Sequence, residues 1–243
     1  MMRGFWTART GMIQHEMKLG VVANNFANVN TVGFKPTKVS FTDLMYQNIN
    51  RPNAEGTAMV GHGVKINKTD IVFTQGALAP GTRLDFAITV PNGFFAVQDP
   101  FGNIQYTRNG SFIMSTEDGE TFYLAAGNGD RVLDADGGHI ELEFDERGEL
   151  ILVPHEDIGV FTFPNHYGLH SVANTRFVPS GNSGEATEVE NVRDILVQGY
   201  TEDSSVEMAM EMVRVIHANR AFAFNSRIIT IADELEQTVN QLR

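Results

Sequence analysis

The residues that most invite a chemical reading are His166 and His170, four apart, with His155, Glu156 and Asp157 just upstream. On a helix that spacing sets two imidazoles on one face, an arrangement that holds zinc. Pro164 and Gly168 work against a helix there, so no metal site is expected. Asp134-Ala-Asp136-Gly137 begins like a calcium loop but lacks the third acidic ligand, the glycine spacing and the closing glutamate, and reads as a hairpin turn. No phosphate-binding loop, dinucleotide fingerprint or nucleophile elbow occurs. Cysteine is absent, which removes thiolate nucleophiles, cysteine metal sites and disulfides together. Among 30 acidic residues carboxylate pairs arise by chance, so none marks general acid and base work. No enzyme and no cofactor is expected.

Composition narrows the partners. The chain is 42% hydrophobic, within the range of folded proteins, and carries a net charge of −12. Nucleic acid needs a concentrated positive surface, so it is not an expected partner. No run approaches the ~20 apolar residues that cross a bilayer, and Arg3 leads into an amphipathic stretch instead of a secretory apolar core. Direct membrane insertion is not expected. Residues 1–40 hold Arg3, Arg9, Lys18, Lys35 and Lys38 against Glu16 alone, so the first segment is basic and the rest strongly acidic. That asymmetry suits either a solvated face or attraction to acidic surfaces of neighbouring copies.

Stepping along the chain, the elements that must position any functional residue lie at its two ends. Phe5, Met12, Leu19 and Phe26 recur every seven residues, and so do Ala8, His15, Val22 and Val29 three places later. This is a heptad seam with one polar member, His15, which reads either as a pH-sensitive interface group or as a helix-edge residue. Asparagines at 24, 25, 28 and 30, then Gly33 and Pro36, end the helix near 28–32. Asn25 and Asn30 flank the seam and suit either register fixing between copies or plain capping. A second helix is predicted from about Ser205 to Leu242, with a seam through Val206, Ala209, Val213, Ile216, Ala221, Phe224, Ile228, Ile231, Leu235 and Leu242. Val215, Phe222 and Ile229 form a second apolar row on it. At ~1.5 Å per residue this helix is a rod of ~55 Å.

Between the helices, 33–75 reads as an extended connector punctuated by turn formers such as Pro52-Asn53 and Gly61. From 76 to 200 short β-like runs alternate with turn signals, including Gly93 to Gln98, Ile104 to Thr107, Phe122 to Leu124, Ile140 to Phe144, Leu150 to Val153, Gly159 to Phe163 and Val192 to Val197. The expected fold class is α+β. Helices in 1–32 and 201–243 are expected to form an antiparallel coiled-coil pair standing off a central all-β domain of hairpins, sandwich-like or barrel-like.

Each large seam residue is worth about 1.5–3 kcal/mol on burial, so neither seam belongs in water. One two-helix layer still leaves an apolar row uncovered, which points to more than one neighbour. The residues expected at an assembly interface are Phe5, Met12, Leu19, Val22, Asn25, Phe26, Val29 and Asn30 on the first helix, and Val213, Ile216, Phe222, Phe224, Ile228, Ile231, Leu235 and Leu242 on the second. A helical bundle closed within one monomer remains the alternative.

At these residues the chain resembles the flagellar basal-body rod and hook family. The resemblance is carried by Ala23-Asn-Asn-Phe-Ala-Asn-Val-Asn-Thr-Val-Gly-Phe-Lys35, by Phe41-Thr-Asp-Leu-Met-Tyr-Gln47, and by Leu84-Asp-Phe-Ala-Ile88. It continues in Gly93-Phe-Phe-Ala-Val97, Tyr106-Thr-Arg-Asn-Gly-Ser-Phe112, Val197-Gln-Gly-Tyr-Thr-Glu-Asp-Ser-Ser-Val206 and the stretch from Glu211 to Ile229. The first of these motifs is long and specific, whereas 125–190 carries little of the likeness. The resemblance implies a structural rod subunit, of distal-rod type in preference to proximal rod or hook, polymerising helically around a central export channel. It implies copies of itself and other axial proteins as partners, delivery through the flagellar type III export apparatus, and a place in the basal body beyond the inner membrane. In that family the paired helices line an inner tube and the β domain lies outside it. A secreted coiled-coil adhesin would share the periodicity but has no use for the 23–35 motif.

Overall fold

The computed structural model describes residues 2–49, 58–116, 121–144, 151, 157–173, 175–189 and 192–242. The first helix, α1, spans Met2–Ala27. Four strands follow: β1 Thr37–Asp43, β2 Tyr46–Ile49, β3 Ala58–Gly61 and β4 Val64–Ile71. Next come β5 Leu78–Pro80, β6 Phe86–Ile88, β7 Gly93–Gln98, β8 Ile104–Thr107, β9 Phe112–Thr116, β10 Phe122–Ala126, β11 Arg131–Val132 and β12 Glu141–Leu142. After β13 Val160–Thr162 the chain forms β14 Leu169–Val172, β15 Arg176–Pro179, β16 Thr187–Glu188, a four-residue helix α2 Val192–Ile195, β17 Leu196–Gln198 and β18 Tyr200–Glu202. The closing helix α3 spans Met208–Gln241. No helix among the described residues is long and apolar enough to cross a membrane.

These elements form two compact units. The helical unit comprises Met1–Ala27, Thr37–Ile71 and Glu207–Arg243. Here α1 and α3 run antiparallel: Phe5 and Trp6 lie beside Ala232 and Glu236, Gly11 faces Asn225, and Val22 and Asn25 lie near Arg214. Gly11 permits the close approach, since a Cβ there would stand 3.1 Å from the Asn225 side chain. Gly4, Gly11 and Gly20 each cost α1 about 1 kcal/mol of helix propensity relative to alanine, so its stability depends on packing.

Within the connector, the described residues of 37–71 form two antiparallel pairings, β1 with β4 and β2 with β3. The pairing is hidden in the sequence because β1 has a register shift between Ser40 and Phe41, which breaks alternation. This ribbon packs on α1: the Gln14 side-chain carbonyl accepts the Ile66 N–H at 2.7 Å, and the Phe41 ring lies 5.6 Å from that of His15.

The β unit comprises Asn28–Pro36 and Val72–Val206. Its main sheet has the strand order β12-β10-β11-β7-β8-β15-β14, with β9 on β10 and β13 joining β7 to β16. Separate two-stranded pairings join β17 to β6 and β18 to β5. Among the described residues the sheets stay open, so the barrel expectation is corrected: there β14 pairs with β15 alone. β7 is the centre. Phe95 and Val97 enter the main core with Phe86, Phe112 and Leu124, while Phe94, on the other face, packs edge-on against Phe73, Phe163 and Phe177. A strand buried on both faces explains the unbroken run Phe94-Phe-Ala-Val97.

Val192 to Val197 is also corrected. The first four residues form the helical turn α2, which turns Val192 and Ile195 together into the core, and only then does β17 begin. Leu150 to Val153 lies outside the described residues apart from Ile151.

Candidate functional site

The apolar rows of α1 and α3 divide between the inside and the surface of the helical unit. On α1 the buried residues are Ala8, Gly11, Val22 and Asn25. One predicted row, through Ala8 and Val22, is therefore inside. The other is displaced by one residue: Gly11 and Asn25 are buried, whereas Phe5, Met12 and Leu19 are half-buried and Phe26 is exposed. Small side chains let the backbones approach, and the bulky row is pushed to the flank.

On α3 the inner face runs through Glu211, Ala218 and Asn225, with Phe222 and Ile228 half-buried. Val213, Ile216, Phe224, Ile231, Leu235 and Leu242 are all exposed, Phe224 by 66%. The row with the stronger sequence seam thus faces outward. Val29 and Asn30 lie past the end of α1, half-buried and exposed respectively.

Asn25 is 1% exposed and clamps one peptide unit pair. Its amide donates to the Thr37 carbonyl and its side-chain oxygen accepts the Thr37 N–H, both at 2.9 Å. Within the helical unit this amide fixes where β1 leaves α1. Asn25→Ala orphans a buried donor and acceptor, and is expected to cost about 1–3 kcal/mol, read as a shift in the denaturation midpoint of α1.

Sequence reasoning missed a buried ion cluster in the β unit, although all three of its charged residues fall within the motifs quoted above. Glu202 on β18 lies between Lys35 and Arg108, and all three are nine-tenths or more buried. Its Oε1 accepts from Lys35 Nζ at 2.6 Å and from the Gly76 N–H at 2.8 Å. Its Oε2 accepts from Arg108 Nε at 2.8 Å, so the carboxylate is fully engaged. The remaining Arg108 donors reach the Val90 and Gly93 carbonyls, both at 2.6 Å, and the Gln75 side chain at 2.5 Å. Lys35 also donates to the Thr74 carbonyl at 2.6 Å. Burial pulls the Lys35 ammonium and the Arg108 guanidinium below their ordinary values, and the Glu202 carboxylate opposes that shift.

Gly33 sets Lys35 into this cluster. It has φ +69°, its N–H donates to the Glu202 carbonyl at 2.7 Å, and a Cβ would stand 2.6 Å from the Asn109 nitrogen. The Phe34 carbonyl accepts the Ser205 N–H at 3.2 Å. The Thr31-to-Lys35 end of the asparagine-rich motif, in the segment that opens the β unit, is thereby tied to β18, the strand near its end.

His166 and His170 do not share a helix. His166 lies in a short 3-10 turn against Phe73, and His170 on β14. His155 and Glu156 lie outside the described residues. No group of three or more metal-capable side chains is found among the described residues. Asp134 opens the expected turn, with its side chain accepting the Gly138 N–H at 2.6 Å and Gly137 at φ +84°. Burial, reinforced by Lys18, holds His15 below its ordinary value and keeps the ring neutral near pH 7.

Known proteins resemble this chain in sequence. Residues 5–35 match the family model for flagella basal body rod protein, and 87–156 match that for the flagellar hook protein FlgE/F/G D1 domain. Residues 197–242 match flagellar basal body rod FlgEFG protein C-terminal. The flagellar basal-body rod protein FlgG of Buchnera aphidicola subsp. Baizongia pistaciae is 32% identical over the whole of both chains. The chain belongs to the flagellar basal-body rod protein family. FlgG of Bacillus subtilis is likewise 32% identical over both full chains, and the flagellar hook-basal body complex protein FlhP of the same organism is 27% identical over both. The chain is a structural subunit of the basal-body rod, and its place is the flagellar basal body. The two terminal family matches cover α1 with the Lys35 motif and Glu202 with α3, so they include two of the three charges of the buried cluster.

Proposed function

We propose that this rod subunit is of the distal type and polymerises helically around a central channel, with α1 and α3 as an antiparallel coiled-coil pair that copies bury against one another. Its partners are further copies and other flagellar axial proteins of rod and hook. It reaches its place through the flagellar type III export apparatus, and its role is mechanical, with no catalysis. The β-containing adhesin alternative leaves the match over 5–35 without a purpose. What carries this reading is the exposed row Val213, Ile216, Phe224, Ile231, Leu235 and Leu242 on α3. Six large apolar side chains in line on one helix represent several kcal/mol of unused burial, which only a neighbour can recover.

Leu235→Asp tests it. Leu235 is 49% exposed, so the monomer tolerates the change. Loss of its burial between copies is expected to raise the concentration needed for polymerisation by about tenfold or more, from ~1.5–3 kcal/mol per contact. Sedimentation of the purified chain reads the effect. A variant that polymerises like the parent removes α3 from the interface.

A further inference from the structure

Apolar burial between copies is non-directional and leaves open how far one copy slides along the next. Charge supplies a ruler. Within the helical unit, α1, α3 and β1 enclose a pocket of ≈ 100 Å³ lined by Lys18, Val22, Asn25, Lys38 and Arg214. Arg214 is anchored from behind by the buried carboxylate of Glu211. Lys18 leans over the Phe41 ring at 5.6 Å, and Lys38 is exposed. In a chain of net charge −12 this is a locally cationic site whose two lysines lack a carboxylate among the described residues.

The opposite arrangement lies further along α3. Asp233, Glu234 and Glu236 are exposed, and from Ile228 to Leu242 the helix carries no basic residue. None of the three has a cationic partner among the described residues, and Asp233 only accepts a hydrogen bond from Gln237 at 3.1 Å. Arg214 and Asp233 are nineteen residues apart on one continuous helix, which separates them by about 28 Å. The two sets cannot meet within a copy.

Resting on the assembly reading above, we propose that Lys18, Lys38 and Arg214 of one copy receive Asp233, Glu234 and Glu236 of a second copy, fixing their axial displacement. Between copies that run parallel, as helical stacking sets them, the contact is heterologous. It does not close on itself as a two-fold dimer contact would, and each bound copy presents a fresh pocket or a fresh acidic segment to the next. Opposite charges at the rim contribute register and association rate, and the apolar row contributes the bulk of the stabilisation. A parallel neighbour must then stand about 28 Å along the helix axis.

Zero-length carbodiimide cross-linking of polymer grown from mixed isotope-labelled and unlabelled full-length chains tests this directly. The expected products are inter-copy amides from Lys18 or Lys38 to Asp233, Glu234 or Glu236. The ~28 Å separation within a copy forbids the same links in a monomer. Two charge reversals supply the second measurement, Lys18→Glu with Lys38→Glu, and Asp233→Lys with Glu236→Lys. Each pair alone is expected to lower polymer yield at low salt about tenfold, and both pairs in one chain to restore it. Polymers that form without these cross-links, or reversals that leave the yield unchanged, or a combined variant no better than either pair, overturn the pairing alone. Parent chains that form no polymer at any concentration overturn the assembly reading and the pairing with it.

Discussion

Replacing Glu202 with alanine is expected to cost the β unit about 3–5 kcal/mol, much of the stability of an ordinary domain. The substitution leaves the Lys35 ammonium and the Arg108 guanidinium buried with no negative charge between them, and it orphans the Gly76 N–H. Lys35→Met is expected to cost less, because Arg108 still neutralises Glu202 and the methionine fills the same volume. Hydrogen exchange at the β7 amides reads both. The expected order is Glu202→Ala faster than Lys35→Met, and both faster than the parent. Equal exchange in all three would mean that the cluster adds nothing to the fold.

Gly110→Ala is expected to prevent the β unit from folding. A Cβ at this position overlaps the Phe86 carbonyl oxygen and comes within 3.0 Å of the Phe95 ring. The Phe86 N–H donates to the Gly110 carbonyl at 2.9 Å, so β6 and residue 110 are locked at this spacing by backbone on both sides. Neither wall is a flexible side-chain end, and relief requires moving β6 out of the core that holds Phe86, Ile88 and Phe95. The cost falls in the exceptional class, above about 4 kcal/mol. Gly127→Ala is the matched control, since nothing lies within 4 Å of a Cβ there. Circular dichroism is expected to show native strand content for Gly127→Ala and its loss for Gly110→Ala.

Much of the helical framework was legible because heptad spacing is local. The ends of α1 and α3 fall within a few residues of where the asparagines after Ala23 and the serines before Val206 put them. Which face of α1 meets α3 was not legible. Phe26 is the more hydrophobic residue and Asn25 the more polar, yet Asn25 is inside because it satisfies the Thr37 peptide groups and Phe26 is not needed there. The ribbon of 37–71 was hidden by turn formers and by the shift at Ser40, and α2 by β-branched residues that serve equally well on a helical turn. The ion cluster was invisible for a different reason. Lys35, Arg108 and Glu202 are far apart in the chain, and nothing local distinguishes a buried charge from a solvated one. Only the density of quoted motif around each of them pointed that way.

The cluster also sets a timetable. Lys35 and Glu202 are separated by 167 residues, so their pairing is among the last contacts a growing chain can make. Until residue 202 has arrived, Lys35 and Arg108 have no counter-charge, and enclosing them would require desolvating two bare cations. A chain presented from its N-terminus is thereby kept from closing its β unit on a fragment. The carboxylate that holds the finished subunit together is therefore also the charge that enclosing Lys35 and Arg108 has to wait for.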